Sequence, residues 1–468
     1  MNSANRSFRQ SLLHAAGLAV VLTLGGCSTI DSVTESIFGE KTVSRVPGER
    51  ISLMPRGQDA LGQDPAFAGM AVPVPAPVQV GSWPNPGGTP ENLVGNVDAS
   101  VGFGQSWSTS IGVSTSANSA ITASPVIAQG MIFTLDAAVG VRAFDVSSGG
   151  EIWGVSLAVA DTSTDWYFFS SGGDTPDEGY GGGIAYADGR LYVTTGFGEV
   201  VALNANNGSR LWTKKTDSPF HTAPTARDGK VYVVNRENRM WALDGATGGE
   251  IWNHEVFAEG AGVLASTSPA ASADLVIVPY TNGDVYALRA NNGRAVWSDS
   301  LTKTGVADTL SSINDIAGRP VIDGNIVFAI SHAGRLVAID ALSGERLWTR
   351  DLAGVQTPWV AGEFVYVTGM DGVLYCFEKR TGRVAWSTYL GRWQDEEARE
   401  DTVEWSGPLM ANGNLVLTST DGRIAVIAAQ SGAVLQTYET GVGSIIAPIA
   451  ANGALFILND DGDLTAYR

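Results

Sequence analysis

Apolar and polar residues alternate in short runs along most of the chain, and each run ends at a turn rich in Gly, Asn and Asp. Runs with a period of two predict β-strands, because successive side chains of a strand point to opposite faces. Turns such as Asn282-Gly283 and Asp371-Gly372 are typical of hairpins between antiparallel strands. The pattern therefore predicts an all-β protein built from consecutive hairpins.

These strands belong to a repeated unit in which Trp follows Gly at a fixed spacing of four residues. A seventh copy, Gly432 to Gln436, keeps the spacing and lacks the aromatic residue. A repeat of about 40 to 50 residues made only of short strands is the signature of a β-propeller. The six complete copies are Gly149 to Trp153, Gly208 to Trp212, Gly248 to Trp252, Gly293 to Trp297, Gly344 to Trp348 and Gly382 to Trp386.

The number of blades follows from the first strand of each unit. Eight such strands start near residues 123, 184, 223, 268, 319, 357, 407 and 447, most of them at a Pro. The last unit lacks its fourth strand because the chain ends at Arg468, and residues 105–108 supply a Trp-bearing strand at the other end. We predict an all-β, eight-bladed β-propeller of four-stranded antiparallel blades, closed by this N-terminal strand, over residues 101–468.

The repeated tryptophans have a structural interpretation. Residues that recur at one position of every repeat pack repeats together, so each indole is expected to lie between neighbouring blades. The alternative is a ring of stacking platforms for carbohydrate or nucleic acid. The residues predicted to dock the blades are Trp107, Trp153, Trp212, Trp252, Trp297, Trp348 and Trp386.

The N-terminal region precedes the repeats and has a different composition. Residues 1–26 combine Arg6 and Arg9 with an apolar run and predict a signal peptide that ends at Cys27, the residue expected to carry the lipid. The alternative is an ordinary secretory signal with an incidental Cys. Residues 27–100 are rich in Pro and predict a lipid-anchored tether, mostly extended or mobile.

Charge restricts the possible partners. The formal net charge of −19 becomes −21 when Arg6 and Arg9 leave with the signal peptide. Such an acidic chain repels nucleic acid and anionic headgroups, so we expect no nucleic-acid partner and a membrane contact that depends on the lipid.

Catalytic and metal-binding patterns are missing from the sequence. The chain has two cysteines, Cys27 and Cys376, which are far apart in sequence, and it has no Gly-x-Ser-x-Gly elbow. The histidines of the mature chain lie in three different repeats without ligand spacing. We therefore predict no enzyme activity, no cofactor and no metal.

One phrase of the repeat resembles a known family. Residues 242–252 and 338–348 read Ala-x-Asp-x-x-(Thr/Ser)-Gly-x-x-x-Trp, which resembles the tryptophan-docking repeat of pyrroloquinoline-quinone dehydrogenases. A non-enzymatic family shares that repeat. The lipid signal, the Pro-rich segment and a single propeller over residues 24–468 resemble this second family, the propeller lipoproteins of the outer-membrane β-barrel assembly machinery. Residues 268–270 and 357–362 resemble its alphaproteobacterial branch.

The resemblance also implies a docking site. In that family, loops before two adjacent inner strands contact the POTRA domains of the barrel-inserting subunit. The family pattern includes an Arg in the first loop and a second Asp, both missing here, where Ala317 replaces the second Asp. The alternative is that the apolar members fold inward as loop core. The implied partner-binding residues are Val263, Leu264, Ile313, Asp315 and Ile316.

The function implied by the resemblance is that of a non-catalytic scaffold. The partners would be the barrel-inserting subunit, other assembly lipoproteins and nascent β-barrel proteins. Ser28 after the lipid-bearing Cys implies the outer membrane, with the protein facing the periplasm. The alternatives are a periplasmic quinoprotein dehydrogenase, for which the family's adjacent pair of cysteines is missing, and a propeller that binds polysaccharide or cell wall.

Overall fold

The computed structural model describes residues 61–116, 119–158, 181–258, 267–302 and 315–468. Within these ranges the strands form eight four-stranded antiparallel sheets and one additional two-stranded hairpin. Each four-stranded sheet is one blade, so the predicted eight-bladed propeller is confirmed. The described residues also include a short 3₁₀ helix, Pro65–Phe67, before the first strand.

Strands are numbered along the chain, beginning with β1 (Gln105–Ser110). Blade 1 consists of β2 (Val126–Ala128), β3 (Met131–Leu135), β4 (Gly140–Asp145) and β5 (Glu151–Ser156). Blade 2 consists of β6 (Gly182–Ala187), β7 (Arg190–Thr195), β8 (Glu199–Asn204) and β9 (Arg210–Lys215). Blade 3 consists of β10 (Thr225–Arg227), β11 (Lys230–Val234), β12 (Arg239–Asp244) and β13 (Glu250–Glu255).

Blade 4 consists of β14 (Ala270–Ala271), β15 (Leu275–Pro279), β16 (Asp284–Arg289) and β17 (Ala295–Ser300). Blade 5 consists of β18 (Val321–Asp323), β19 (Ile326–Ser331), β20 (Arg335–Asp340) and β21 (Arg346–Arg350). Blade 6 consists of β22 (Trp359–Ala361), β23 (Phe364–Thr368), β24 (Val373–Glu378) and β25 (Val384–Tyr389). The extra hairpin is β26 (Trp393–Asp395) and β27 (Glu400–Thr402).

Blade 7 consists of β28 (Trp405–Ala411), β29 (Asn414–Ser419), β30 (Arg423–Ala428) and β31 (Val434–Glu439). Blade 8 consists of β32 (Ile449–Ala451), β33 (Ala454–Leu458), β34 (Asp463–Tyr467) and, as its outer strand, β1.

The position of a strand within a blade decides its burial. Every residue of the second strand β19 is buried between neighbouring blades, whereas the outer strand β9 alternates between exposed and half-buried residues. The core is divided into clusters of apolar residues that lie mostly between two adjacent blades, such as the cluster shared by blades 4 and 5. Burial of apolar area between blades therefore supplies the main stabilisation of the ring.

The ring closes through the pairing of the two ends of the repeat region. Strand β1 runs antiparallel to β34, with Gln105 opposite Tyr467 and Trp107 opposite Ala466. The Arg468 amide donates to the Gly104 carbonyl at 2.9 Å beyond the ladder. This confirms the predicted closure by the N-terminal strand.

The repeated tryptophans connect each blade to the next one. Each ring lies against the Gly of the next blade's Gly-x-x-x-Trp unit, and that Gly has a positive φ. A Cβ at Gly248 would lie 2.6 Å from Trp212 Cε3, which leaves room only for Gly. Six indoles donate from Nε1 to a carbonyl of the next blade: Trp153 to Ala205, Trp212 to Gly245, Trp252 to Ala290, Trp297 to Ala341, Trp348 to Lys379 and Trp386 to Ala429.

The closure of the ring explains the missing tryptophan of blade 7. In blade 8 the third and fourth strands come from opposite ends of the chain, so the tight turn that carries the receiving Gly does not exist there. Phe103 occupies this region instead, with its ring 4.6 Å from that of Tyr438 and 5.3 Å from that of Tyr467. Gln436 of blade 7 therefore replaces Trp at a position where the neighbouring blade 8 has no Gly against which an indole could pack.

Residues 78–100, here called the strap, run around one end of the propeller and bond to the blades in order. They start at blade 8, pass blades 1 to 7 and return to blade 8. The hydrogen bonds are Asn452 N to Val80 O, Trp83 N to Ile127 O, Tyr186 N to Pro84 O, Ala226 N to Asn85 Oδ1, Ala271 N to Pro90 O, Ile322 N to Glu91 O, Trp359 Nε1 to Gly95 O, Val97 N to Met410 O and Ser100 N to Gly453 O.

The strap differs from the expectation that this segment is extended or mobile. Trp83, Val97 and Ala99 are fully buried within the cluster that joins blades 7, 8 and 1. The strap accepts or donates a hydrogen bond at each blade, mostly between backbone atoms, with the Asn85 side chain as acceptor at blade 3 and the Trp359 indole as donor at blade 6. The spacing of its prolines did not indicate these contacts. The described residues from 61 onwards all lie in one compact unit.

Candidate docking face and central channel

The turns of the blades define two faces. The strap face carries the turns between first and second strands, such as Asn452-Gly453, and the turns between third and fourth strands. The connection face carries the turns between second and third strands, such as Asp371-Gly372, and the connections from one blade to the next. Because each inner strand starts at the connection face, the loops implied by the family resemblance lie on that face.

Two of the five implied partner-binding residues lie within the described ranges. Ile316 is fully buried in the cluster with Trp297 and Leu301, so it belongs to the loop core rather than to an exposed surface. Asp315 is 7 % exposed, and its carbonyl accepts from the His332 amide. Val263, Leu264 and Ile313 lie outside the described residues, as does Cys27.

Phe257 is an exposed aromatic residue on the connection face that the sequence analysis missed. Its side chain is 83 % exposed, the highest value among the large exposed apolar residues described. The Asn238 side chain donates to the Phe257 carbonyl at 3.2 Å and fixes the backbone there. Phe257 follows β13 and leads towards the loop that contains Val263 and Leu264. Its position five residues after a repeated Trp, where the other units carry small or polar residues, was the available signal.

The central channel contains a second feature that the sequence analysis missed. The residue before the inner-strand Pro is small in six copies of the repeat and is Arg319 in another. The Arg319 Nη2 donates to the Ser124 hydroxyl at 3.3 Å. Ser124 precedes β2 of blade 1 and Arg319 precedes β18 of blade 5, and these blades are opposite in a ring of eight. The Arg319 side chain therefore crosses the channel. The six small residues are Ser124, Ala223, Ser268, Thr357, Gly407 and Ala447.

The channel is closed towards the strap face. Trp83 of the strap stacks on Trp359 of blade 6, with ring centroids 6.4 Å apart. Asn92 Nδ2 donates to the Pro320 carbonyl at 2.9 Å directly after Arg319. The channel therefore forms a well with its mouth on the connection face, where a cavity of about 260 Å³ lies around Arg319.

The described residues outside the channel show no metal-binding cluster, reactive thiol or membrane-spanning helix. No group of three or more His, Cys, Asp or Glu able to hold a metal occurs among the residues that the structure describes. Cys376 is buried in β24, and burial raises the pKa of its thiol well above the usual value. None of the helices in the described ranges is long and apolar enough to cross a membrane.

The Asp of the repeated phrase is a turn-forming residue. Asp244 Oδ1 accepts from the Thr247 hydroxyl and from the amides of Ala246 and Thr247. These hydrogen bonds, that from the Thr247 hydroxyl first, lower the pKa of Asp244. Hydrogen bonds from Ser147 and Ser148 lower the pKa of the equivalent Asp145 to about 2. This carboxylate holds the tight turn that presents the receiving Gly.

Fold and repeat together define an eight-bladed propeller of the quinone-repeat class with a strap-covered face. The family profile described as outer membrane protein assembly factor BamB matches residues 137–388. The chain belongs to this family.

Relatives of the chain carry the same description. It is 26 % identical over 345 residues to the outer membrane protein assembly factor BamB of Salmonella typhimurium, covering 73 % of this chain and 83 % of the relative. It is also 26 % identical over 290 residues to an uncharacterized protein of Rickettsia prowazekii, covering 61 % of this chain and 66 % of that protein. The match to Rickettsia, an alphaproteobacterium, agrees with the predicted branch.

Solved structures show the same fold. BamB from Moraxella catarrhalis superposes with a TM-score of 0.62 at 17 % identity, covering 78 % of this chain and 99 % of that one. A quinohemoprotein alcohol dehydrogenase from Comamonas testosteroni also gives a TM-score of 0.62, at 15 % identity, covering 82 % and 80 %. An assembly factor and an enzyme therefore share this fold, and the fold by itself does not distinguish between the two.

Proposed function

We propose that this protein is a non-catalytic scaffold lipoprotein of the outer-membrane β-barrel assembly machinery. It is anchored through Cys27, faces the periplasm and docks the POTRA domains of the barrel-inserting subunit with its connection face. Membership of the BamB family is the observation that carries the proposal. Other assembly lipoproteins are further partners.

The distribution of the strap supports docking through the connection face. Strap residues bond to every blade and fill the end of the channel, so most inner-strand ends on the strap face already have a partner within the chain. The connections that lead to β14 and β18 belong to neighbouring blades on the other face. One docking domain can therefore contact both loops at once.

Exposed apolar residues beside these loops supply the anchor. Phe257 is 83 % exposed and precedes Val263 and Leu264 in the same connection, and a partner that covers this aromatic side chain would desolvate a large apolar area. The connection to the next blade contains Ile313, which we propose as a second apolar contact, whereas Asp315 is 7 % exposed and would contact a partner only after a rearrangement of this loop. Ile316 contributes by holding the second loop against the core.

The non-catalytic part of the proposal rests on the cysteines and the channel. Quinoprotein dehydrogenases of this fold resemble the chain in their repeat but place an adjacent pair of cysteines at the cofactor, whereas Cys27 and Cys376 are the only cysteines here. The Arg319 side chain also crosses the axis of the channel. Purified protein should therefore show no quinone absorbance.

Nascent β-barrel strands are proposed as clients of the outer blade edges. An outer strand has backbone groups available for pairing with an added strand. The chain itself uses one such edge, because the Asp64 amide donates to the Val384 carbonyl of β25 at 2.9 Å.

The docking surface is tested with Leu264→Asp in the full-length lipoprotein. A charge placed in a desolvated interface should weaken the association with the barrel-inserting subunit at least tenfold, or by about 1.4 kcal/mol or more. Binding is measured by co-purification from gently solubilised membranes and by titration of the purified POTRA domains.

Leu342→Asp is the matched control. Leu342 is 72 % exposed and lies in a turn on the strap face, so the same change of chemistry there should leave the association intact. Unchanged binding by Leu264→Asp would remove Leu264 from the interface. Loss of binding in both variants would show that the effect is not specific to the connection face, and absence of the subunit from the wild-type preparation would refute the proposed function.

A further inference from the structure

The guanidinium of Arg319 is a cation with few partners at the centre of the propeller. Its side chain makes one hydrogen bond, from Nη2 to the Ser124 hydroxyl, and its Nε is buried without a partner. Within the described structure no carboxylate lies within 4.0 Å of it. Burial lowers the pKa of Arg319 to about 10, so the side chain remains charged at neutral pH. Most of the donors of the guanidinium are therefore available to a ligand.

The cavity around Arg319 provides further polar groups of the right kind. Arg392 lines the cavity with its Nε also buried and unpartnered, and His332 presents a buried Nδ1 without a partner. Gln356 and Ser406 also line the cavity. The Ser406 hydroxyl already donates to the Ile445 carbonyl, so only the Gln356 amide, which contacts Ser406 at 3.5 Å, adds a donor. The lining is therefore rich in hydrogen-bond donors.

The charge of this cavity is opposite to that of the whole chain. The cavity is lined by two arginines and by one acidic residue, the exposed Glu404. The whole chain, by contrast, has a formal net charge of −19. A largely desolvated cation without a counter-charge is unfavourable, so an anion that enters the well gains the interaction that the fold leaves unmade.

We propose that the central channel is a binding site for a small oxyanion, a compound with a carboxylate or phosphate group, held by the Arg319 guanidinium. The planar fork of Arg matches the two oxygens of such a group. The cavity of about 260 Å³ is below the size of drug-binding pockets, which selects small acids over nucleotides. The strap and the Trp83–Trp359 stack close the well behind the ligand, so it enters from the connection face.

The repeat itself provides the variant that tests this site. Arg319→Ser places at this position a residue type that another copy has before its Pro, Ser124, so the fold should tolerate it. Removal of an uncompensated buried charge should leave the ligand-free protein as stable or more stable than the wild type. A merely structural role for Arg319 predicts the opposite, a lower melting temperature.

Binding is measured by calorimetric titration of the full propeller with succinate and, separately, with inorganic phosphate. We expect saturable binding of at least one probe to the wild type and a dissociation constant at least tenfold higher for Arg319→Ser. The two probes distinguish the carboxylate source from the phosphate source. Arg380→Ser is the control, because Arg380 is exposed at the surface and its loss changes the net charge equally.

Two outcomes would overturn the proposal. One is the absence of binding of both probes to the wild type at millimolar concentration. The other is equal binding by the wild type and Arg319→Ser, which would assign the anion to another surface. Because neither measurement uses the assembly partner, failure here leaves the scaffold function untouched.

Discussion

The contact between each Trp and the next blade's Gly can be tested by adding a single methyl group. Gly248 has a φ of +74°, and a Cβ there would lie 2.6 Å from Trp212 Cε3 and 2.8 Å from Cδ2. Gly248→Ala therefore has two costs: about 1–2 kcal/mol for a left-handed backbone and about 1–3 kcal/mol for overpacking against the indole. We expect the free energy of unfolding to fall by about 2–5 kcal/mol.

Gly229 supplies a control within the same blade. Its φ is +71°, almost the same as that of Gly248, and nothing lies within 4 Å of a Cβ built there. Gly229→Ala therefore carries only the backbone cost of about 1–2 kcal/mol. The difference between the two variants, about 1–3 kcal/mol, measures the contact with Trp212 alone.

Urea unfolding followed by far-UV circular dichroism measures both variants, with the slope checked for a constant value. In a Trp212→Ala background the cost of Gly248→Ala should fall to that of Gly229→Ala, because the ring that it overlaps is gone. Equal destabilisation by Gly248→Ala and Gly229→Ala in the wild-type background would refute the reasoning, and the tryptophans would then not depend on these glycines.

Two further predictions concern the strap and the repeated Asp. Trp83→Ala should lower the free energy of unfolding by about 3–5 kcal/mol, since the side chain is 2 % exposed, whereas Met70→Ala, at a site 61 % exposed, should change it by less than about 0.5 kcal/mol; similar urea midpoints for the two variants would contradict packing of the strap. The pKa values of Asp145 and Asp244 are lower in the folded than in the unfolded protein, so their contribution to stability is complete above about pH 4 and is lost as the pH falls towards about 2. Urea midpoints should decline over that range and decline less in Asp145→Asn, and an unchanged decline in that variant would disprove the role of this carboxylate.

The repeat made the propeller predictable from sequence. Gly and Trp recur at a fixed spacing because every blade meets its neighbour through the same contact, and this periodicity gave the blade count and the closure by β1. Single exceptions were interpretable only with the structure. The replacement of Trp by Gln436 is explained by blade 8, whose strands come from both ends of the repeat region. In the sequence, Arg319 is only a single exception to the small residues that precede the inner-strand Pro.

The strap could not be predicted in the same way. It uses mainly backbone atoms to bond to the blades, so its side chains carry no period, and its prolines resemble those of an extended linker between domains. Its buried residues Trp83 and Val97 are isolated apolar positions in the sequence. The docking loops have the same difficulty, because contacts with another protein impose no regular spacing on either chain.

In the proposed function, in which Cys27 carries a lipid, the strap limits the distance between the propeller and the membrane. Residues 78–100 bond to all eight blades, and the Asp64 and Val72 amides already donate to the Val384 and Gln430 carbonyls. Only residues 28–60 therefore lie between Cys27 and the first described contact with the propeller. A fully extended chain gains about 3.3–3.6 Å per residue, so residues 28–60 reach roughly 110–120 Å, against roughly 240–260 Å for residues 28–100. Effective concentration falls roughly as the −3/2 power of linker length, so a linker of residues 28–60 instead of 28–100 raises the local concentration of the propeller near a membrane-embedded partner about threefold.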